Sequence, residues 1–179
     1  MAEYPATSRI ARADLIACME ETMHVATLRY FTRDGPFADA VRGATGMPLP
    51  AALEAREEAQ LILAWRSPTE TLCVTRSATR LAELGARLAA CAEGCMVELT
   101  GGLRIVRLTG LGIADLLCRL GGTASAPAPG EAKRSRMADV PVLAISLHAG
   151  ETLLVVDRVY LPHLLGWIRE TLLDFGTSR

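Results

Sequence analysis

"VELTGGLRIVRLTGLGIADLLCRLGG", residues Val97 to Gly122, sets a β-branched run against a glycine turn and an apolar stripe. Ile105 and Val106 lie inside Leu103–Leu108, which reads as a strand. Thr109-Gly110-Leu111-Gly112 reads as a turn, and Ile113, Leu116, Leu117 and Leu120 recur at helical spacing. Strand, glycine turn, helix is also the order of a nucleotide-binding loop, and free N–H groups at the helix start could hold an anion. This turn lacks the Lys and Ser/Thr of a P-loop and the three-glycine spacing of a dinucleotide fingerprint. It is read as a tight strand-to-helix corner in which Gly110 serves the turn and not an anion.

Working outward, Met23–Phe31 reads as a strand ending at Asp34-Gly35-Pro36. Phe37–Ala44 is a short helix stopped by Gly43, Gly46 and Pro48, and Ala52–Ala59 is read as a helical turn. Leu61–Trp65 and Thr71–Thr75 form a strand pair around Arg66–Glu70. Ser77 caps a helix that puts Leu81, Leu84, Leu88 and Cys91 on one face and ends near Gly94. Val97–Leu99 is the next strand. Gly121–Gly130, "GGTASAPAPG", is small, uncharged and Pro-rich, so 121–132 is expected to be a mobile loop. Val140–Leu147 and Thr152–Val156 are unbroken apolar strands, expected to be buried on both faces. The last helix buries Leu161, Leu164, Leu165, Ile168, Leu172 and Phe175 and ends at Gly176.

The order β-α-β-β-α-β, then β-α-β-β-α, is a split β-α-β unit used twice, the second lacking its final strand. No residue-level repeat is evident, so the duplication rests on the order of elements alone. The expected fold is α+β, made of tandem split β-α-β (ferredoxin-like) units in antiparallel-rich sheets with helices packed on them. A segment 1–22 precedes one domain over 23–176, with pseudo-halves 23–99 and 103–175.

The chain has 179 residues, 50% hydrophobic and 22% charged, enough to build a core. A formal net charge of −1 gives no general attraction to nucleic acid. Glu3, Arg9, Arg12 and Asp14 rule out a signal peptide at the start, and no uncharged apolar run reaches the ~18 residues of a membrane helix. Five cysteines, an odd number set mostly inside apolar patterns, fit a reduced, cytoplasmic setting.

No residue cluster announces chemistry. Cys91 and Cys95 have no second pair, and His24, His148 and His163 are scattered, so no zinc site is expected. No Ser or Cys has a base that its spacing reveals. Lys133-Arg134-Ser135-Arg136 is read as a solvated basic face beside the loop. Trp65 is read as core, whereas Trp167 fits either core or a partner surface.

"VELTGGLRIVRLTGLGIADLLCRLG" resembles a segment of the glycine-cleavage T-proteins and their relatives, with Leu99-Thr100, Leu108-Thr109-Gly110 and Ala114–Leu117 in step. The chain is more similar still to the gamma subunit of heterotetrameric sarcosine oxidase, a small member of the same folate-binding-type superfamily. "GMPLP" (Gly46–Pro50), "LAWRSPTETLCV" (Leu63–Val74), "PGEAKRSRMADVPVLAI" (Pro129–Ile145) and "ETLLVVDRVYLPHLLGWI" (Glu151–Ile168) resemble further family segments, in order, over roughly residues 25–175. The resemblance implies the fold of the N-terminal folate-binding-type domain of T-proteins. It makes the opening turn architectural.

Departures limit the function that the resemblance implies. The Gly-Gly-x-x-Asp-Asp loop of T-proteins is reduced here to Met137-Ala138-Asp139-Val140-Pro141. The Asp and His of the family's Asp-h-Ser-His are Glu98 and Gly101. The chain is therefore expected to be a noncatalytic gamma-type subunit packing against alpha-, beta- and delta-type chains, with no catalytic residue of its own. FAD, FMN, NAD and tetrahydrofolate are implied for the other chains of such a complex, none for this one. Arg136 and Asp139 are the candidate ligand-binding residues and Trp167 the candidate partner contact. Asp139, beside Arg134 and Arg136, is expected in a rim ion pair or turn cap, not as an acid or base. The rival readings are a stand-alone folate or small-molecule binder and a homo-oligomeric scaffold.

Overall fold

The computed structural model describes residues 9–12, 15–20 and 23–174. The described residues form eleven strands and four α-helices. In chain order these are β1 (Arg9–Arg12), β2 (Leu15–Glu20), β3 (His24–Tyr30), α1 (Pro36–Thr45), β4 (Ala55–Glu58), β5 (Leu61–Ser67) and β6 (Glu70–Thr75). There follow α2 (Ala78–Leu88), β7 (Gly94–Glu98), β8 (Leu103–Gly110), α3 (Ile113–Gly121), β9 (Glu131–Met137), β10 (Val140–Ser146), β11 (Glu151–Asp157) and α4 (Leu161–Asp174). Two antiparallel sheets result, ordered β4-β5-β6-β3-β7 and β1-β2-β8-β11-β10-β9.

Each half of the chain builds one sheet by the expected split β-α-β path. In the first, β6 slots between β3 and β5, and β7 returns on the far side of β3. In the second, β11 slots between β8 and β10, and the place beside β8 is taken by β2. The final strand missing from the second half is thus supplied by the leading segment, which the sequence set apart from the domain.

The period-2 pattern decides the layers. Ala26, Leu28 and Leu63 face α1 and α2 through Phe37, Val41, Leu81, Leu84 and Leu88. Val25, Ile62, Leu72 and Val74 point the other way and meet Ile105, Leu143, Ile145, Leu153 and Val155 of the larger sheet. Val106, Leu108, Val142 and Leu154 pack under Ile113, Leu116, Leu117, Leu164 and Ile168 of α3 and α4. Burial of β10 and β11 on both faces, expected from their unbroken apolar runs, is explained by this helix–sheet–sheet–helix order. Ser77 caps α2 as expected, its hydroxyl accepting the Arg80 N–H at 3.2 Å.

Several boundaries differ from the sequence reading. Ala52–Ala59 is not a helical turn: Leu53 takes φ +63° and β4 follows. The segment 121–132 is not a loose loop. It holds a 3-10 turn at Thr123–Ser125, a buried Ser125, and the start of β9. The basic run is the body of edge strand β9 rather than a stretch beside a loop, and its Arg134 and Arg136 are exposed, as a solvated face requires. Helix α2 ends at Leu88, short of Gly94. Trp65 is half-buried within β5 rather than in the core. Phe175 and Gly176 lie outside the described residues.

A residue-level repeat emerges from the hydrogen bonds. Pro50-Ala51-x-x-Glu54-Ala55-Arg56 matches Pro127-Ala128-x-x-Glu131-Ala132-Lys133. Glu54 accepts the Ala51 N–H at 2.7 Å and pairs with Arg56 at 2.7 Å. Glu131 accepts the Ala128 N–H at 2.9 Å and pairs with Lys133 at 2.9 Å. Leu53 and Gly130 both have positive φ, and each accepts the N–H that follows the other's glutamate: Ala55 N to Gly130 O and Ala132 N to Leu53 O, both 2.8 Å. The repeats thereby join the two sheets at one corner. Each then enters a two-residue hairpin turn with both φ positive, Ala59-Gln60 and Ala138-Asp139.

The two glutamates tie stability to pH. Burial opposes the Glu54 charge, but the Ala51 N–H and the Arg56 and Arg33 guanidinium groups outweigh it and lower its pKa. The Ala128 N–H, then Lys133, lower that of Glu131. A depressed folded pKa contributes stability above the unfolded value, about 4.3, that is lost as pH falls through the folded value. The double variant Glu54→Gln, Glu131→Gln is therefore expected to melt below wild type at pH 7, with the gap narrowing below about pH 4. A gap independent of pH contradicts this assignment.

Gly110 ends β8 with φ +128°, and its N–H donates to Gly150 O at 2.9 Å. An L side chain is strained at such a φ, so Gly110→Ala is expected to cost about 1 kcal/mol or more in urea unfolding. An unchanged midpoint contradicts the assigned role of Gly110.

Candidate functional site

The three residues singled out as binding candidates lie on connected parts of one surface. Arg136 stands near the end of β9, Asp139 in the turn into β10, and Trp167 on the outer side of α4. The turn Ala138-Asp139 has φ +48° and +63°, a conformation that Asn-Gly or Asp-Gly would adopt more easily than Ala. Two side chains clasp it. Arg136 Nη2 donates to Asp139 O, and His163 Nε2 donates to Ala138 O at 2.9 Å. His163 also meets the Trp167 ring edge-on, centroids 6.5 Å apart. Asp139 is thus held by its backbone, while its exposed carboxylate pairs with no cation among the described residues. The expected rim ion pair is not formed because Arg136 turns to the main-chain oxygen.

Trp167 is 52% exposed. One helical turn toward the N-terminus lies His163, and Val159 and Tyr160 stand in the 3-10 turn just before the helix, all exposed. Leu164, Leu165, Ile168 and Leu172 occupy the opposite face of α4 and are buried. The helix is thus apolar on the core side and carries the ring pair His163–Trp167 on the free side. Trp167 is therefore not part of the core. Sequence reasoning missed His163, whose contact is a backbone oxygen remote in sequence. It also missed Val159 and Tyr160, which lie in a 3-10 turn before the helix.

A second feature lies between the sheets. A cavity of about 300 Å3 has a floor of Met23, Ile62, Leu147 and Leu153 and a rim of Glu57, Arg76, Arg107, His148 and Glu151. Arg107 pairs with Glu151 at 2.5 Å, and His148 Nε2 lies 3.6 Å from Glu57 Oε2. No serine, threonine or cysteine lines it, so it offers no nucleophile. No group of three or more metal-ligating side chains exists among the described residues. Cys73 is fully buried and burial pushes its thiol up to about 12, which makes it inert near neutral pH. The opening glycine turn does not fit a dinucleotide's diphosphate: the Gly110 N–H is already engaged, and no cationic or hydroxyl side chain follows it. No helix of the described residues is long and apolar enough to cross a membrane.

No protein-family model matches the chain, and no curated protein does. Solved structures do. A chain of the heterotetrameric sarcosine oxidase from Corynebacterium sp. U-96, in complex with pyrrole 2-carboxylate, is similar with a TM-score of 0.84 and 18% identity. The match covers 96% of this chain and 90% of that one. The glycine cleavage system aminomethyltransferase T from Bartonella henselae is similar with a TM-score of 0.63 and 15% identity. That match covers 84% of this chain but only 44% of the transferase. The fold expected from the sequence is the fold observed, shared with a sarcosine-oxidase chain and with part of a T-protein.

Proposed function

We propose that this chain is a noncatalytic, gamma-type subunit of a sarcosine-oxidase-like flavoenzyme, seated against larger chains through the outer face of α4. One observation carries the reading: the chain matches, nearly end to end, one whole chain of a heterotetrameric enzyme, whereas it spans less than half of the T-protein. The stripe Val159, Tyr160, His163 and Trp167 supplies a surface with the aromatic character of interface anchors. The charged inter-sheet cavity pairs Arg107 with Glu151 and is lined by no serine, threonine or cysteine, which favours a supporting role over chemistry of its own. Under this reading FAD, FMN, NAD and tetrahydrofolate are held by the other chains. The setting is the cytoplasm.

The test uses this chain co-expressed with the alpha-, beta- and delta-type chains of its own genome. Trp167→Ala is expected to weaken recovery of the chain with the complex by roughly 30-fold, the ~2 kcal/mol typical of a central tryptophan. Asp139→Asn is expected to leave sarcosine turnover within a few-fold of wild type. A loss of about a hundredfold with the complex intact would show that this chain supplies chemistry.

A further inference from the structure

The two sheets have four edges among the described residues, and three are protected. The edge of β4 is bridged to β9 through Ala55 N to Gly130 O and Ala132 N to Leu53 O. The remainder of β9 carries Lys133, Arg134 and Arg136, and β1 begins and ends with arginine. Edge strands bearing such charges resist adding another strand. The fourth edge is β7, Gly94-Cys95-Met96-Val97-Glu98, apolar in all but its last residue and free of Pro, Lys and Arg. Internal symmetry makes the gap explicit. Strand β2 occupies beside β8 the place that β7 occupies beside β3, and β2 carries β1 on its far side. No described strand lies beyond β7.

Its backbone is ready for one. Phe31 N donates to Glu93 O and Leu99 N to Val25 O, so by the alternation of an antiparallel ladder Cys95 and Val97 also bond toward β3. Gly94, Met96 and Glu98 therefore turn their N–H and C=O groups outward. Apart from Glu98, the exposed side chains of β7 are apolar: Val97 is 42% exposed and Cys95 is exposed, and Phe31, 80% exposed, follows β3 at the same end. A cavity of about 470 Å3 opens at the same end, lined by Arg29, Phe31, Glu70, Glu93 and Cys95 among others.

We propose that β7 pairs antiparallel with the β7 of a second copy, joining two five-stranded sheets into one across a two-fold axis at Met96. The occupant follows from self-complementarity. In this register Met96 faces its own copy, Gly94 faces Glu98, and Cys95 faces Val97. The exposed apolar side chains thus cover one another and no like charges meet. The contact does not depend on the assembly proposed above. It uses the edge of the smaller sheet, while that reading uses α4 on the larger one.

The full chain in micromolar solution is the probe, with its mass read by light scattering. Wild type is expected to be a dimer. Val97→Lys, a change at an exposed position, is expected to be a monomer that keeps the native circular dichroism spectrum. Val97→Cys places a thiol opposite the partner's Cys95 in a non-hydrogen-bonded pair, where strand spacing suits a disulfide. Mild oxidation is then expected to give a covalent dimer that wild type does not form and that dithiothreitol reverses. A monomeric wild type overturns the proposal. So does a dimer that survives Val97→Lys and is lost with Trp167→Ala, or a Val97→Cys variant that stays unlinked on oxidation.

Discussion

Gly94→Ala is expected to destabilise the chain by about 2–3 kcal/mol, one of the largest effects of any single methyl group in the molecule. A Cβ at Gly94 would come within 2.5 Å of Cγ and Cδ2 of Phe37 and 2.6 Å of Arg29 O. Neither neighbour can yield. Phe37 is 1% exposed at the centre of the cluster under α1 and α2, and Arg29 O belongs to β3, the partner of β7. The glycine lets β7 start directly beneath the α1 ring, so the added methyl must move either the helix or the strand. Denaturant unfolding monitored by circular dichroism reads the cost. A loss under 0.5 kcal/mol, roughly that of an ordinary surface change, would mean that β7 does not run beneath Phe37.

Leu154→Ala is expected to cost about 3 kcal/mol. Leu154 sits on β11, the strand flanked by β8 and β10, and is completely buried beneath α3 and α4 among Leu116, Leu117, Leu164 and Ile168. Truncation removes most of an aliphatic side chain from a site walled by two sheet neighbours and two helices. Collapse cannot fill the space, so the cavity term adds to the lost transfer term. Val155, the next residue, points at the other sheet, so Val155→Ala reports the inter-sheet layer separately. A cost below 1 kcal/mol for Leu154→Ala would contradict the helix-covered outer face of the larger sheet.

What the sequence made legible was what apolar periodicity encodes. Ile113, Leu116, Leu117 and Leu120 announced α3, and the unbroken runs of β10 and β11 announced strands covered on both sides. Strands without that pattern were missed. Ala-Arg-Glu-Glu of β4 has a single buried residue, and Lys-Arg-Ser-Arg within β9 is written in charge because it lies at an edge. The repeat around Glu54 and Glu131 escaped for a related reason. It is carried by a carboxylate accepting a backbone N–H and a cation two residues on, which are signals of turn chemistry rather than burial. The missing strand of the second half came from the N-terminal segment, a pairing between residues too far apart in the chain for any local pattern to show.

The candidate surface was legible in parts. Trp167, Arg136 and Asp139 were separately conspicuous, but their connection runs through His163, which reaches Ala138 O at the β9–β10 turn. A histidine whose partner is a main-chain oxygen on another element leaves no motif. Leu111, almost fully exposed above the opening glycine turn, fits the corner reading, since a phosphate cradle is lined by donors and not capped by a leucine.

The subunit role proposed for this chain can be tested on the assembled particle. The direct measurement is the native mass of the particle recovered when a tag on this chain is used to purify it from cells expressing the alpha-, beta- and delta-type chains. The expected result is a heteromeric particle containing this chain, with flavin absorbance and sarcosine turnover, and no flavin on the chain purified by itself. Recovery of this chain alone, with the flavoenzyme assembled and active in the unbound fraction, would contradict it.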